Sequence, residues 1–470
     1  MARDKRTTGA VVGINLGTKA VKVAEVRPTK TGPKVVAFGV APVSRDLVDE
    51  TGFILDPEGL GALLKDLLTR ARIQTRQAIC SISGQSGLVI RVIEVPKMNA
   101  SELDKSMKWE IERQIPFAAN TEAITDYGVL APQPGATDDA NMEVMLAAVP
   151  KDVVDAFVKA LQVAKLQPAA IDSETLAAGR AVLLSEPDLK TKTVVVLNIG
   201  ASQTDMGVFS HGELRLPRVV PVAGNQLTQA IVDALPGRLQ GDTPAERFES
   251  AERMKLEHGK VLLDRVPSDT APTSSFNAGL GDGMIDFGFQ QGAGASVDLS
   301  SFGDSGPADT GFGVANPFAE DLGLPSTPPV SDTGMVDFGS TSDASSEEPS
   351  GQADAGSSLT PAAADDDDAV ILFDAMAPTL GEFMAEIRRS IDFYRGRANG
   401  AAIDRIVLCG GGARLPYLDR LIEQELSIPT TISDTFEKNH SVSGVDAQYI
   451  SEMSPMMAVA FGLGARDMTD

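Results

Sequence analysis

Two stretches of the chain place amide, glycine and hydroxyl groups in nearly the same order, and the first adds an amine. Residues 10–26, AVVGINLGTKAVKVAEV, carry Asn15, Gly17, Thr18 and Lys22; residues 193–209, TVVVLNIGASQTDMGVF, carry Asn198, Gly200, Ala201, Ser202 and Thr204. Each reads as an apolar strand, a tight glycine turn and a second strand. Glycine in such a turn lets backbone N–H groups approach an anion closely, and a following hydroxyl or lysine adds a donor or a charge. Either hairpin alone is an ordinary β-turn. Two of them imply similar half-folds facing each other, with a phosphate chain held between. A third glycine run, Gly410-Gly411-Gly412-Ala413-Arg414, follows a strand over 403–409 and leads to a helix from Pro416. That geometry suits the base and sugar of a nucleotide. Asp172 and Glu174 stand just ahead of a helix, where the N-terminal dipole favours carboxylates and where capping alone also explains them. Glu252 and Lys255 lie three residues apart on one helix face, a spacing that a surface ion pair accounts for.

Alternating hairpins and helices position these groups, an α/β pattern. After the first hairpin, residues 34–43 continue as strand. Leu60, Leu63, Leu64, Leu67 and Leu68 then mark one face of a helix starting near Asp56-Pro57. Strand-like runs return over 77–95. Ser101 with Asp104 reads as a helix cap, and Leu103, Met107, Ile111 and Ile115 form the stripe of a helix that stops at Pro116. Trp109, the single tryptophan, falls off that stripe; it either contacts a partner or packs beneath a neighbouring loop. A strand over 142–149 and a helix over 151–166 complete a small subdomain expected at about 77–167, in the order β, α, β, α. Helices follow over 225–235 and 244–264, then from Pro378, and a last one over 455–465.

Formal net charge is -24 over 470 residues. Residues 267–369 hold 18 Asp and Glu and no Lys or Arg, so the rest of the chain has 47 acidic against 41 basic residues. No basic patch with interleaved aromatics points to nucleic acid. Two cysteines, Cys80 and Cys409, sit in apolar runs as reduced core residues, and with three His they exclude a zinc site. No run of about 18 apolar residues spans a membrane. The stretch 267–369 is rich in Gly, Ser, Pro, Ala and Asp and lacks helical periodicity, so it reads as a disordered acidic insertion. Within it GMIDFGF (283–289) and GMVDFGS (334–340) repeat. They are either docking motifs for another protein or low-complexity drift.

The ordered set of hairpin, inserted subdomain, capped helix, second hairpin, Ala-Glu-rich helix, glycine run and final helix resembles the actin-like ATPase superfamily. Within it, GINLGTKAVKVAEV, MKWEIERQIPF, IDSETLAAGRA, LNIGASQTDMGVF, EIRRSIDFYRG and LCGGGARLPYL resemble the PilM family of type IV pilus assembly. The resemblance implies two duplicated lobes with an inserted small α/β subdomain: a first lobe over 1–190, a second over 191–266 and 370–450, and a C-terminal helix over 451–470 returning to the first. It implies an ATP cleft with phosphate turns at Asn15, Gly17, Thr18 and Lys22 and at Asn198, Gly200, Ala201, Ser202 and Thr204. Glu174 holds the linking position, Gly411 and Gly412 lie beside the adenosine, and Glu252 and Lys255 flank the base. Mg2+ is then held through water near Asn15 and Asn198.

Active relatives carry Asp where this chain has Asn15 and Asn198, so hydrolysis is expected to be slow or absent, with Glu174 as the one water-orienting acid. The implied partners are the cytoplasmic tail of the membrane protein PilN, other platform proteins and motor ATPases of pilus biogenesis and twitching motility. The implied location is the cytoplasmic side of the inner membrane, reached through partners. The rival readings are an FtsA-like cell-division filament protein, which ordinarily ends in a basic amphipathic helix unlike Arg466-Asp467-Met468-Thr469-Asp470, and a small-molecule kinase of the same fold, which needs a base near the γ-phosphate.

Overall fold

The computed structural model describes residues 9–84, 86–115, 122–133, 140–266, 362–398, 400–442 and 444–468. Contacts divide the chain into residues 1–268 with 359–470, and residues 269–358. The second unit, with both aromatic-acidic repeats, lies outside the described residues.

Strands β1 (Val11–Leu16), β2 (Ala20–Thr29) and β3 (Gly32–Pro42) form an antiparallel meander, followed by α1 (Pro57–Arg70) and β4 (Gln77–Ile82). Next come β5 (Val89–Pro96), α2 (Ala100–Gln114), β6 (Ala123–Val129), β7 (Asn141–Pro150), α3 (Lys151–Val163), β8 (Gln167–Ser173) and α4 (Glu174–Ser185). The second half repeats the plan. A meander of β9 (Thr193–Ile199), β10 (Thr204–Ser210) and β11 (Glu213–Val220) leads through α5 (Gly224–Ala234), α6 (Pro244–His258) and α7 (Ala362–Arg397) to β12 (Arg405–Cys409). It ends with α8 (Leu418–Leu426), β13 (Thr430–Ile432), α9 (Thr435–Asn439) and α10 (Ala447–Gly464).

The two five-stranded sheets have equivalent orders, β3-β2-β1-β4-β8 and β11-β10-β9-β12-β13. In each, the first strand of the meander pairs in parallel with the strand that follows the crossover. Helices α4 and α10 lie between the sheets. One buried cluster joins Val11 and Ala24 of the first sheet, Val194 and Val407 of the second, Ala177 and Ala181 of α4, and Met457 and Phe461 of α10. Small residues on α4 let the helices approach closely, and truncating a fully buried ring such as Phe461 costs about 3–5 kcal/mol. This shared core fixes where the two glycine turns meet.

The inserted subdomain is smaller than its sequence pattern suggests. β4 belongs to the first sheet and α3 packs on α1, so only β5, α2, β6 and β7 stand apart, as a three-stranded sheet β5-β7-β6 covered by α2. β6 and β8 escape the sequence reading because their apolar alternation is broken by polar residues and a proline. The cap of α2 is Asn99, in a reciprocal capping box with Glu102, rather than Ser101. Trp109 is 76% exposed, so no described loop covers it. α6 stops at His258, short of 264.

Residues 362–369, expected as the end of the insertion, instead open α7. Asp367 and Asp368 sit near the helix N-terminus, where their charge is favoured, and Asp368 pairs with Arg238 at 2.7 Å. Ala369, Leu372, Phe373 and Met376 then enter the core, so Pro378 lies inside the helix rather than at its start. Likewise α10 begins at Ala447, capped by Asp446, with Pro455 internal.

Candidate functional site

The two glycine turns have equivalent geometry. In the first, Gly17 N–H donates to Ala20 O at 3.1 Å; in the second, Gly200 N–H donates to Gln203 O at 2.9 Å. Strand register sets Asn15 opposite Lys22 and Asn198 opposite Asp205. The turns meet where Thr18 Oγ1 donates to Ser202 Oγ at 3.4 Å. Lys19 of the first turn reaches over the ring of Phe248 on α6, 4.7 Å from its centroid, and so bridges the two lobes.

Beneath the turns a single carboxylate takes an amide from each lobe. Glu174, the first residue of α4 after its Ser173 cap, accepts from Asn15 Nδ2 at 2.8 Å on Oε1 and from Asn198 Nδ2 at 3.2 Å on Oε2. Ser81 receives a further Asn15 amide hydrogen bond at 3.3 Å, and Lys22 Nζ donates to Asn15 Oδ1 at 3.2 Å. On the other side Asp205 accepts from Gln203 Nε2 at 2.7 Å and lies 3.5 Å from Asn198 Nδ2. Burial, then the neighbouring Asp205, pushes the Glu174 carboxyl up to about 8. Burial raises Asp205 to about 6, against its hydrogen bonds from Gln203 and Asn198. Burial lowers the Lys22 ammonium, partly offset by Glu174. The two carboxyls therefore share a proton near neutral pH.

The third glycine run packs beside this cluster. Gly410 has φ +87°, and a Cβ there would stand 2.4 Å from Ile199 O and 2.8 Å from Asn198 Oδ1, so only glycine fits. Gly411 is exposed, and a Cβ on it meets nothing within 4 Å. Behind the second turn, Lys255 Nζ donates to Gly224 O at 2.8 Å, Thr228 Oγ1 at 2.6 Å and Glu252 Oε2 at 2.8 Å. This pair is therefore a half-buried clamp on the start of α5, whose Gly224 and Asn225 N–H groups bond Gly200 O and Ala201 O. Among the described residues no group of three His, Cys, Asp or Glu side chains is placed to hold a metal ion.

Residues 13–254 and 371–468 match the family described as type IV pilus assembly protein PilM. The chain belongs to the PilM family. A solved structure titled "PilM-PilN type IV pilus biogenesis complex" aligns with TM-score 0.66 and 21% identity over 99% of this chain and 100% of that one, which shows a shared fold. Both share an α/β fold, here of two similar lobes with equivalent strand orders. Cell division protein FtsA of Escherichia coli (strain K12) is 26% identical over 278 residues, 55% of this chain and 63% of FtsA. FtsA of Bacillus subtilis (strain 168) is 29% identical over 119 residues, 25% of this chain and 24% of that protein. The chain thus spans less than two thirds of the curated relatives it matches.

In this PilM family member hydrogen bonds tie Asn15, Lys22, Glu174 and Asn198 together, Thr18 meets Ser202, and Gly412 packs on Ile199 beside Asn198. Thr204 is different. It is fully buried and its hydroxyl donates to Val222 O at 2.8 Å, so it is spent on the backbone of the second lobe. The sequence reading missed Asp205, Ser81, Gln203 and Lys19. Asp205 carried a usable signal: Asn15 and Lys22 are seven residues apart, and the same step from Asn198 reaches Asp205. Glu174 is accordingly not the one acid of the site.

Proposed function

We propose that this protein is an ATP-binding scaffold of type IV pilus assembly whose nucleotide closes the two lobes on each other. The observation that carries the reading is the Glu174 carboxylate held by Asn15 of one lobe and Asn198 of the other. Whatever enters between the turns acts on a joint that both lobes share. The donor set fits a triphosphate: hydroxyls of Thr18 and Ser202, the amines of Lys19 and Lys22, and the open backbone at Gly411. It fits Mg2+ only through phosphate oxygens and water, with Glu174 and Asp205 as outer partners for those waters. Bound metal would supply charge to the phosphates.

Hydrolysis is slow on this reading, because Asn15 and Asn198 bring no negative charge and Glu174, protonated near neutrality, is a poor base. Thermal melting with ATP, ADP and neither, with and without magnesium, tests the binding. A triphosphate-specific rise supports a switch, an equal rise for both a static cofactor, and no rise defeats the reading. Single-turnover hydrolysis tests the chemistry. Brisk wild-type turnover that is lost in Glu174→Ala would refute slow hydrolysis.

The partner is the short cytoplasmic tail of a PilN-like membrane protein. Supporting it is an apolar groove of about 590 Å3 between the inserted sheet and the first lobe, with Ile82, Leu88, Ile90, Met145 and Val154 among its walls. No described helix is long and apolar enough to cross a membrane; the tail would supply attachment to the inner membrane. Ile90→Asp should abolish capture of the tail peptide while leaving the ATP-dependent rise in melting temperature intact. Retained capture would place the tail elsewhere.

A further inference from the structure

The inserted sheet also borders the second lobe, and a cavity of about 730 Å3 lies there. No residue lining it also lines the groove between the inserted sheet and the first lobe. Its walls come from β5, β7 and the segment after β6, from the turn joining β10 and β11, and from the end of α7.

Two buried polar groups on this cavity lack partners among the described residues. Arg215, on β11, is 5% exposed; Nη1 donates to Glu143 Oε2 of β7 and Nη2 to Ala131 O, both at 2.5 Å, and Nε is left without an acceptor. Tyr394, on α7, is 4% exposed and its hydroxyl bonds nothing. Buried donors are nearly always satisfied, so two orphans from different elements lining one cavity point to an absent acceptor. Arg215 pairs with Glu143 and Arg397 with Glu94, and the two atoms left over, a guanidinium Nε–H and a phenol O–H, both donate, which favours an acceptor-rich anion. Leu130, Pro132, Met142 and Leu216 supply apolar wall, which favours an organic body over a bare ion.

We propose that this cavity binds a small organic phosphate or carboxylate, whose oxygens accept from Arg215 Nε and the Tyr394 hydroxyl. Such a ligand would tie β7 of the inserted sheet to α7 of the second lobe.

Isothermal titration of the full chain, with ATP saturating, tests this using phenyl phosphate, phenylacetate and inorganic phosphate. At least one of the two aromatic anions should bind, showing which head group is preferred, and inorganic phosphate should bind about tenfold more weakly or not at all. Tyr394→Phe should melt at or above wild type without ligand, since it removes only an unpaired hydroxyl, yet bind the preferred anion about tenfold more weakly. Arg215→Lys, which keeps the charge and removes Nε, should weaken binding as well. Silence from both aromatic anions at millimolar concentration overturns the site, as does equal affinity in Tyr394→Phe and wild type. Binding seen only without ATP would assign the anion to the glycine-turn cleft and also overturn it.

Discussion

In the hairpin of the first lobe the residue opposite Asn15 is Lys22; in the hairpin of the second lobe the residue opposite Asn198 is Asp205. Backbone register, turn closure and the amide bound to Glu174 are the same in both, and the side chain seven positions after the asparagine reverses sign. A duplicated fold has thus kept its spacing and divided its charge. The consequence is electrical balance in a place where unbalanced charge is costly. Burial raises Glu174 to about 8 and Asp205 to about 6 and lowers the Lys22 ammonium, so desolvation disfavours charge on all three groups. A buried lysine facing two carboxyls leaves no surplus positive charge waiting there for a phosphate. Attraction for a triphosphate must come from the turns above, through Lys19 and backbone donors.

Charge exchange is the most direct way to break this comparison. Lys22→Asp would leave three carboxyl groups beside one another with no cation and should cost more than about 4 kcal/mol by urea denaturation. Combining it with Asp205→Lys restores one cation and one anion across equivalent backbone positions, so the double variant should recover at least half of the loss. A double variant no better than the single one would mean that the flanking Ser81 and Gln203, rather than the sum of charges, decide which sign each lobe accepts.

The proton shared by the two carboxyls gives the next largest effect. Glu174 is raised from 4.5 to about 8 and Asp205 from 3.8 to about 6, so in between the folded state binds more protons than the unfolded state. Stability contributed by these groups is complete below about pH 4 and falls as pH rises through the window to about 8. Its steepest slope is about 1.4 kcal/mol per pH unit for each proton. Lys22, lowered by burial, works in the opposite sense and adds stability as pH climbs through its folded value. Glu174→Gln should flatten the upper part of the curve, from about pH 6 to 8, and Asp205→Asn the lower part. Denaturation midpoints across pH 5–8 that decline equally in Glu174→Gln and wild type would assign the proton elsewhere.

The duplication was legible because glycine turns leave a mark at fixed spacing, and the α/β pattern followed from apolar periodicity. Asp205 was not, although the same spacing leads to it: inside TDMGVF it sits among strand residues, and nothing local distinguishes a buried ionisable group from one on an exposed face. Its chemistry comes from Glu174, 31 positions away. Thr204 shows the converse error. Its type suits a phosphate ligand, and only the path of the chain after β11 shows that Val222 O takes its hydroxyl. The start of α7 was hidden by composition. Four consecutive aspartates read as solvated chain until Leu372 and Phe373, beyond them, are seen to enter the core of the second lobe.

The turns themselves differ in tightness. A Cβ on Gly200 would meet Gln203 O at 2.8 Å, whereas one on Gly17 would meet Ala20 O at 3.1 Å. Gly200→Ala should therefore lower stability by about 1–2 kcal/mol and Gly17→Ala by less than about 1 kcal/mol, read from thermal melts. Equal losses would show that the first turn is as rigid as the second and that the distance difference has no energetic weight.

The smallest effect bears on whether nucleotide enters between the turns at all. Thr18 Oγ1 and Ser202 Oγ form the direct contact of the two turns, at 3.4 Å, a long hydrogen bond between half-buried hydroxyls. A double-mutant cycle of Thr18→Val and Ser202→Ala should give a coupling of about 0.5–1 kcal/mol in the absence of ligand. With ATP bound, each hydroxyl would turn toward phosphate oxygens, and the same cycle should return a coupling near zero while each single variant weakens ATP binding. The two halves of that expectation are separable. If the coupling vanishes but neither variant changes affinity, nucleotide parts the lobes without touching the hydroxyls. If the coupling persists unchanged, the turns remain in contact and the phosphates lie outside them, and the equivalence of the two hairpins would then serve the packing of α4 and α10 rather than a shared ligand.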